Sequence, residues 1–273
     1  MSKLTDQLNE TIRIIKSYYD EVPVAGIVLG SGLGNFTAEM DIECEIPYGN
    51  IPHFPVSTVE GHSGKLIFGK IAGRTVVCMA GRFHFYEGYS ATQVAYPVRV
   101  LKYLGIRTLF LSNAAGGMNP AFHVGDIMII RDHISLFAHN PLIGKNEAEI
   151  GPRFPDMSEP YSLELVAKGK QIAADYGYTI FEGVYCGVTG PTFETHAEYR
   201  MLKIIGGDAV GMSTVQEVIV ARHMGLPVFA MSVITDLGIR DSNNIITHQE
   251  VLEAAAAAEP KMTAIFKALV AEV

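Results

Sequence analysis

Short apolar runs alternate with amphipathic stretches along most of this chain. The runs are GIVLGSGLG (Gly26–Gly34), KLIFG, TVVCMAG, TLFLSNAAGG, DIMII, GVYCGVTG, DAVGMS and PVFAMSVIT. Several are apolar throughout, as strands buried on both faces are. Helical spacing appears between some of them, near Thr92–Leu104, Ser162–Tyr176, His196–Ile205, Val215–Met224 and Thr247–Val273. The opening segment MSKLTDQLNETIRIIKSYY predicts one more helix and lacks the apolar core and cleavage site of a signal peptide. Together these predict an α/β fold with a central mixed β-sheet flanked by helices. No Pro- or Ser-rich linker and no internal repeat divides the chain, and the tract Ala254–Ala258 is simply good helix. A single domain over residues 1–273 is expected.

Polar residues gather where the apolar runs end: Ser31, Arg82, His84, Asn113, Ser213 and Asp236. In open α/β sheets ligands bind at such strand ends. The segment GRFHFYEGY (Gly81–Tyr89) concentrates this chemistry. If it is extended, Arg82, His84 and Tyr86 share one face, while Phe83 and Phe85 anchor the other in the core.

The remaining motifs each admit a plainer explanation. GSGLGN (Gly30–Asn35) lacks the third glycine of GxGxxG, because position 35 is Asn35. It reads as a tight turn, although converging N–H groups and the Ser31 hydroxyl could cradle an anion. In GPTFETHAEYR, Glu194 either favours the start of a helix or accepts N–H donors from a ligand, with Phe193 stacked nearby. In VGMSTVQEV, Ser213 or Thr214 caps a helix, with Gln216 or Glu217 completing a capping box. That helix start also suits an anion. NAAGGMNP is a turn, or a place where a flat ligand approaches backbone closely.

Composition narrows the classes. With 48% apolar and 18% charged residues, the 273-residue chain reads as a compact folded protein. Its formal net charge of −8 comes without a Lys/Arg cluster, which argues against nucleic acid and anionic membranes as partners but leaves room for a small anion. No apolar run approaches the roughly 20 residues of a membrane span. Cys44, Cys78 and Cys186 are widely spaced, and free thiols in a cytoplasmic protein are expected. The nine histidines show no metal-binding spacing, so no metal is expected. His84 and His62 lie in Gly-bounded polar segments, and His248 sits at a helix start that Thr247 can cap. There is no GxSxG elbow for serine-hydrolase chemistry. Hydroxyls, an Arg, a His and Gly-rich backbone suit an oxyanion, and aromatics with carboxylates suit a flat ring bearing N–H groups. Phosphate plus a heterocycle is the simplest ligand pair that uses them all.

The ordered segments GSGLG, GHSGK, GRFHFYEGY, NAAGGMNP, RFPDMS, GPTFET and VGMSTVQEV closely resemble those of the trimeric purine nucleoside phosphorylases. The resemblance implies one domain of nucleoside phosphorylase type and a homotrimer. It implies phosphorolysis of purine nucleosides to free base and ribose 1-phosphate, with phosphate as co-substrate and no cofactor. It places phosphate on Ser31, Arg82, His84, the Ala114 N–H and Ser213, with His62 close by. Tyr86, Met212 and His248 would hold the ribose, and Phe154 would reach into the neighbouring subunit's site. Ala115, Gly116, Phe193, Glu194, Val210 and Asp236 would line the base. His84, Glu194 and Asp236 carry the implied catalytic roles.

One residue departs from that pattern. Asp236 stands where phosphorylases selective for 6-oxopurines carry Asn, and it resembles the methylthioadenosine phosphorylases there. An ionised Asp only accepts hydrogen bonds, which suits a 6-amino group. Glu194 suits the N1–H and 2-amino donors of guanine instead. Either Asp236 is protonated near Glu194, or specificity extends to adenosine. Inosine and guanosine are the expected substrates, with an adenosine-type phosphorylase as the alternative. A purine nucleoside hydrolase or a non-catalytic purine-binding protein are the rival classes.

Overall fold

The computed structural model describes residues 3–56, 58, 63–137, 139–238 and 246–273. His62, expected near the phosphate, lies outside the described residues. The strands are β1 (Ala25–Val28), β2 (Asp41–Pro47), β3 (Lys65–Ile71), β4 (Arg74–Ala80), β5 (Thr108–Gly117), β6 (Ile127–Ser135), β7 (Phe181–Gly187), β8 (Ala209–Gly211) and β9 (Val228–Leu237). They form one mixed sheet in the order β2-β3-β4-β1-β5-β8-β7-β6-β9, and β9 pairs back onto β5, closing the second half into a ring. Strands β1, β4, β5 and β9 run parallel through their pairings, so their C-terminal ends share one edge. That edge carries the site.

The helices α1 (Lys3–Tyr18), α2 (Ala91–Leu104), α3 (Leu163–Asp175), α4 (His196–Ile204), α5 (Val215–His223) and α6 (His248–Ala271) fall within a residue or two of the expected positions. Side chains alternate across the buried strands. Leu109 and Leu111 of β5 enter a core with Leu101 of α2 and Val218 of α5. Phe110 points the other way, to Phe229 of β9 and Phe266 of α6, with ring centroids 6.2 and 5.6 Å away. Burial of each such side chain favours folding by about 1.5–3 kcal/mol. Thr247 caps α6 as expected: its hydroxyl accepts from the Glu250 N–H, and the Glu250 side chain reaches back in a capping box.

Three local expectations are corrected. The edge strand β2 was not anticipated. Its segment DIECEIP does alternate, but acidic and mostly exposed residues mask the apolar ones. In GRFHFYEGY the extended stretch ends at His84, and Phe85–Glu87 forms a 3-10 turn. Phe83 anchors the segment as expected, packed on Tyr48, Phe54 and Tyr89. Phe85 does not: the turn breaks the period of two and lays it, half buried, against Phe137 and His139. Finally, no capping box opens α5. Thr214 adopts φ 71° and ψ −51° and makes no side-chain cap, while Glu217 turns inward.

Candidate active site

One pocket at the shared strand edge collects Ser31, Arg82, His84, Tyr86, Ala114, Ala115, Gly116, Phe193, Glu194, Val210, Met212, Ser213, Asp236 and His248. Every described site residue named from the sequence is there except Phe154. The pocket runs along β5. Val210 of β8 lies beside Gly116, and the chain then runs back antiparallel until Thr214 accepts a hydrogen bond from Asn113 Nδ2 at 2.9 Å. Asp236 of β9 lies beside Gly116 on the other flank. From Ser112 to Gly116 is four residues, roughly 13 Å at a strand rise of about 3.3 Å per residue.

The Ser112 end carries the guanidinium and is tightly held. Arg82 is 1% exposed, and its guanidinium forms a two-pronged pair with Glu217 of α5, Nε to Oε1 at 3.1 Å and Nη2 to Oε2 at 2.8 Å. Its Nη1 donates to the Ser112 carbonyl. Such a fork-to-fork pair fixes the plane of the guanidinium. A Glu heading the apolar run VIVA is the sequence signal that could have announced this partner, because a carboxylate on a helix buried all round needs a cation. His84 is held in the same way. Its ring stacks on Tyr86 at 4.7 Å and 15°, and Nδ1 lies 3.2 Å from Glu87 Oε1, which also accepts the His84 N–H at 2.7 Å. Burial lowers the His84 pKa, with the Glu87 bond opposing it, so the neutral ring is favoured. Burial alone would raise Glu87, but donors from His84 and Thr58 outweigh it and hold that carboxyl at about 2. The ionised Glu87 assigns the His84 proton to Nδ1 and makes Nε2 an acceptor. Ser213 joins this end at the start of α5. The positive φ of Thr214, costly for a β-branched residue, is the backbone strain that places it.

The Gly116 end is acidic. Glu194 precedes α4, whose cap is Thr195: the Thr195 hydroxyl accepts from the Glu198 N–H. That leaves Glu194 to face the pocket with Asp236. Among the described residues, Tyr199 Oη lies 3.1 Å from Asp236 Oδ2, and Thr235 Oγ1 lies 3.2 Å from Oδ1 and 3.4 Å from the Ala115 carbonyl. Tyr199 and Glu194 line the same pocket. Burial raises the Glu194 pKa, and Asp236 and Glu198 raise it further. Tyr199 was not anticipated. On its helix it reads as one of two buried core positions, with Leu202, and nothing in the spacing shows that it meets β9.

Phe154 lies elsewhere. It is 86% exposed, carries Arg153 over its ring at 5.8 Å, and lines a separate hollow with Leu142 and Ile143.

A guanidinium and hydroxyls at one end and two carboxylates at the other, set along one strand end, can hold an oxyanion beside a flat ring that bears N–H groups. Comparison with known proteins agrees. Residues 24–271 match the phosphorylase superfamily. Purine nucleoside phosphorylase 1 of Geobacillus stearothermophilus is 49% identical over 263 residues, 96% of each chain. The purine nucleoside phosphorylase of Rattus norvegicus is 48% identical over 264 residues, 94% of this chain and 91% of its own. The Schistosoma mansoni purine nucleoside phosphorylase, solved with adenosine, superposes with a TM-score of 0.93 at 41% identity, covering 98% of this chain and 97% of that one. The chain belongs to the phosphorylase superfamily, in its purine nucleoside phosphorylase branch.

Proposed function

We propose that this site cleaves purine nucleosides by phosphorolysis, giving the free base and ribose 1-phosphate. The observation that carries the reading is the spacing along β5: Arg82 and Ser213 belong to its Ser112–Asn113 end, and Asp236 and Val210 to Gly116. Roughly 13 Å of strand suits a phosphate, a ribose and a purine laid in sequence. Phosphate sits on Ser31, Arg82, His84, the Ala114 N–H and Ser213, with the acceptor Nε2 of His84 taking the phosphate O–H. Tyr86, Met212 and His248 surround the ribose. Ala115, Gly116, Phe193 and Val210 sandwich the base, and Glu194 and Asp236 read its edge.

No side chain needs to form a covalent intermediate. The C1′–N9 bond breaks with its electron pair passing to the purine, which takes up a proton. The ribose becomes oxocarbenium-like, and a phosphate oxygen forms the new bond to C1′. The protein supplies placement and electrostatics. The reaction needs phosphate as co-substrate and no cofactor. The working unit is a cytoplasmic homotrimer of one catalytic domain per chain. The exposed Phe154 supports this, because a lone ring at 86% exposure beside Ile143 at 70% suits a surface that a second copy covers. Native mass settles the trimer, and a monomer at working concentration would refute it.

Inosine and guanosine are the first substrates to try, on the strength of Glu194. Adenosine is a second reading, favoured by the Tyr199 hydroxyl donating to Asp236, which suits an ionised carboxylate there. The test is release of base from all three nucleosides with and without phosphate. Phosphate-dependent release supports the reading, and equal release without phosphate makes the protein a hydrolase.

A further inference from the structure

The turn that carries Ser31 is held between β5 and α6. On one side the Gly30 N–H donates to Ser112 Oγ at 3.2 Å, and a Cβ on Gly30 would stand 2.8 Å from the Ser112 carbonyl oxygen. On the other side a Cβ on Gly32 would stand 2.8 Å from the Ala255 Cβ and 2.9 Å from the Leu252 carbonyl oxygen, and its φ of 73° suits glycine. The Leu33 N–H closes the turn on the Gly30 carbonyl at 3.2 Å. A 3-10 helix, Gly34–Glu39, follows directly, and Leu33 gives it no side-chain cap. The first N–H groups of a helix find no acceptor within it. Here α6 supplies one: Glu259 Oε1 accepts the Phe36 N–H at 2.8 Å. Glu259 is buried, on the α6 face that also carries Ala255, Ala258 and Met262. A carboxylate in such a place is costly unless a donor meets it. Two further contacts dock the same short helix on α6. Lys267 Nζ pairs with Glu39 Oε2 at 2.5 Å, and the Phe36 ring meets Phe266 edge-on at 6.1 Å.

We propose that Glu259 is a positioning residue for the phosphate seat: by holding the start of Gly34–Glu39 against α6, it fixes the Ser31 turn in place on β5. The inference rests on the phosphorolysis reading above. The turn and Arg82 meet at Ser112, whose Oγ takes the Gly30 N–H and whose carbonyl takes Arg82 Nη1. A shift of the turn therefore moves Ser31 relative to the guanidinium. Misplacing a group of such a seat by about 1 Å can cost on the order of 10²-fold in rate. The small side chains of the tract Ala254–Ala258 let α6 approach Gly32 closely, and Glu259, the next residue, adds a bond with direction. Glu259 lies along a different hollow, with Asn35 and Thr263, so it acts through the turn and not on the substrate. Helix α6 is itself held in the core by Met262, Ile265 and Phe266. Loss of the Glu259 bond thus frees the turn and leaves the helix, with His248 at its start, where it is.

The experiment measures kcat and the KM values for inorganic phosphate and for inosine in the wild-type protein, Glu259→Ala, Glu259→Asp and Glu259→Gln. We expect Glu259→Ala to raise the phosphate KM by roughly tenfold, the scale of one lost hydrogen bond, and to leave the inosine KM within roughly twofold. Gln keeps an acceptor oxygen at the same reach, so Glu259→Gln should stay within about threefold of the wild type for both substrates. Asp keeps the charge but shortens the arm by one methylene, and Glu259→Asp should follow the Ala variant. A phosphate KM at the wild-type value in Glu259→Ala, even in a protein that melts earlier, means a merely structural role and overturns the inference. So does an equal rise in both KM values, or a Gln variant as impaired as the Ala one. If Glu259→Ala does not fold, the contrast between Asp and Gln decides by the same readout. Phosphate-dependent cleavage with an unmoved phosphate KM in the variants sinks this inference alone, while wild-type cleavage that ignores phosphate sinks the parent reading.

Discussion

The two ends of the pocket are built in opposite ways. At the Ser112 end each functional group has a dedicated partner: Arg82 is gripped by Glu217 and His84 by Glu87. At the Gly116 end, Tyr199 donates to Asp236, and Glu194 faces the same pocket. On the reading proposed above, the gripped end takes phosphate, the same in every turnover, and its fixed geometry preorganises the nucleophile. The acidic end then takes the base, whose edge differs from one nucleoside to another.

This contrast can be broken from either side. Glu217→Ala strikes the rigid end hardest. It leaves the Arg82 guanidinium buried without its carboxylate, and we expect a loss of about 3–5 kcal/mol in stability by denaturant unfolding. An unchanged midpoint would mean that Arg82 is not held by this pair. Arg82→Ala and His84→Ala should each lower the phosphate-dependent rate by on the order of 10²–10³-fold. Near-native phosphate use by either variant removes this strand end from the phosphate seat. At the other end, Asp236→Asn should raise activity on inosine relative to adenosine by roughly tenfold, since an amide donates to O6 without needing a proton. A constant ratio would show that Asp236 does not read position 6.

The smallest effect sharpens the comparison through pH. Hydrogen bonds hold folded Glu87 at about 2, below its ordinary 4.5, so it binds a proton less readily folded than unfolded. The stability it contributes is therefore complete above about pH 4.5 and is lost as pH falls toward about 2. Thermal unfolding of Glu87→Gln should show a shallower decline across that window than the wild type. Identical slopes would mean that the His84 anchor is not ionic.

The sequence made most of this visible because strong signals coincide. Mostly apolar runs such as TLFLSNAAGG and PVFAMSVIT are readable as central strands, and the polar residues at their ends did converge on one pocket. What stayed hidden depends on tertiary approach. Glu217 reads as a cap residue until β4 brings Arg82 across to α5. Tyr199 reads as a core position on α4 until β9 brings Asp236 within 3.1 Å. The turn at Phe85–Glu87 also escaped, because alternation is a local signal and a side chain folding back onto its own backbone breaks it.

The most direct measurement is the sugar product formed from inosine with and without phosphate. We expect hypoxanthine and ribose 1-phosphate in equal amounts when phosphate is present, and negligible cleavage when it is absent. Free ribose, released at the same rate whether or not phosphate is there, would contradict the assignment of the Arg82 end and with it the reaction.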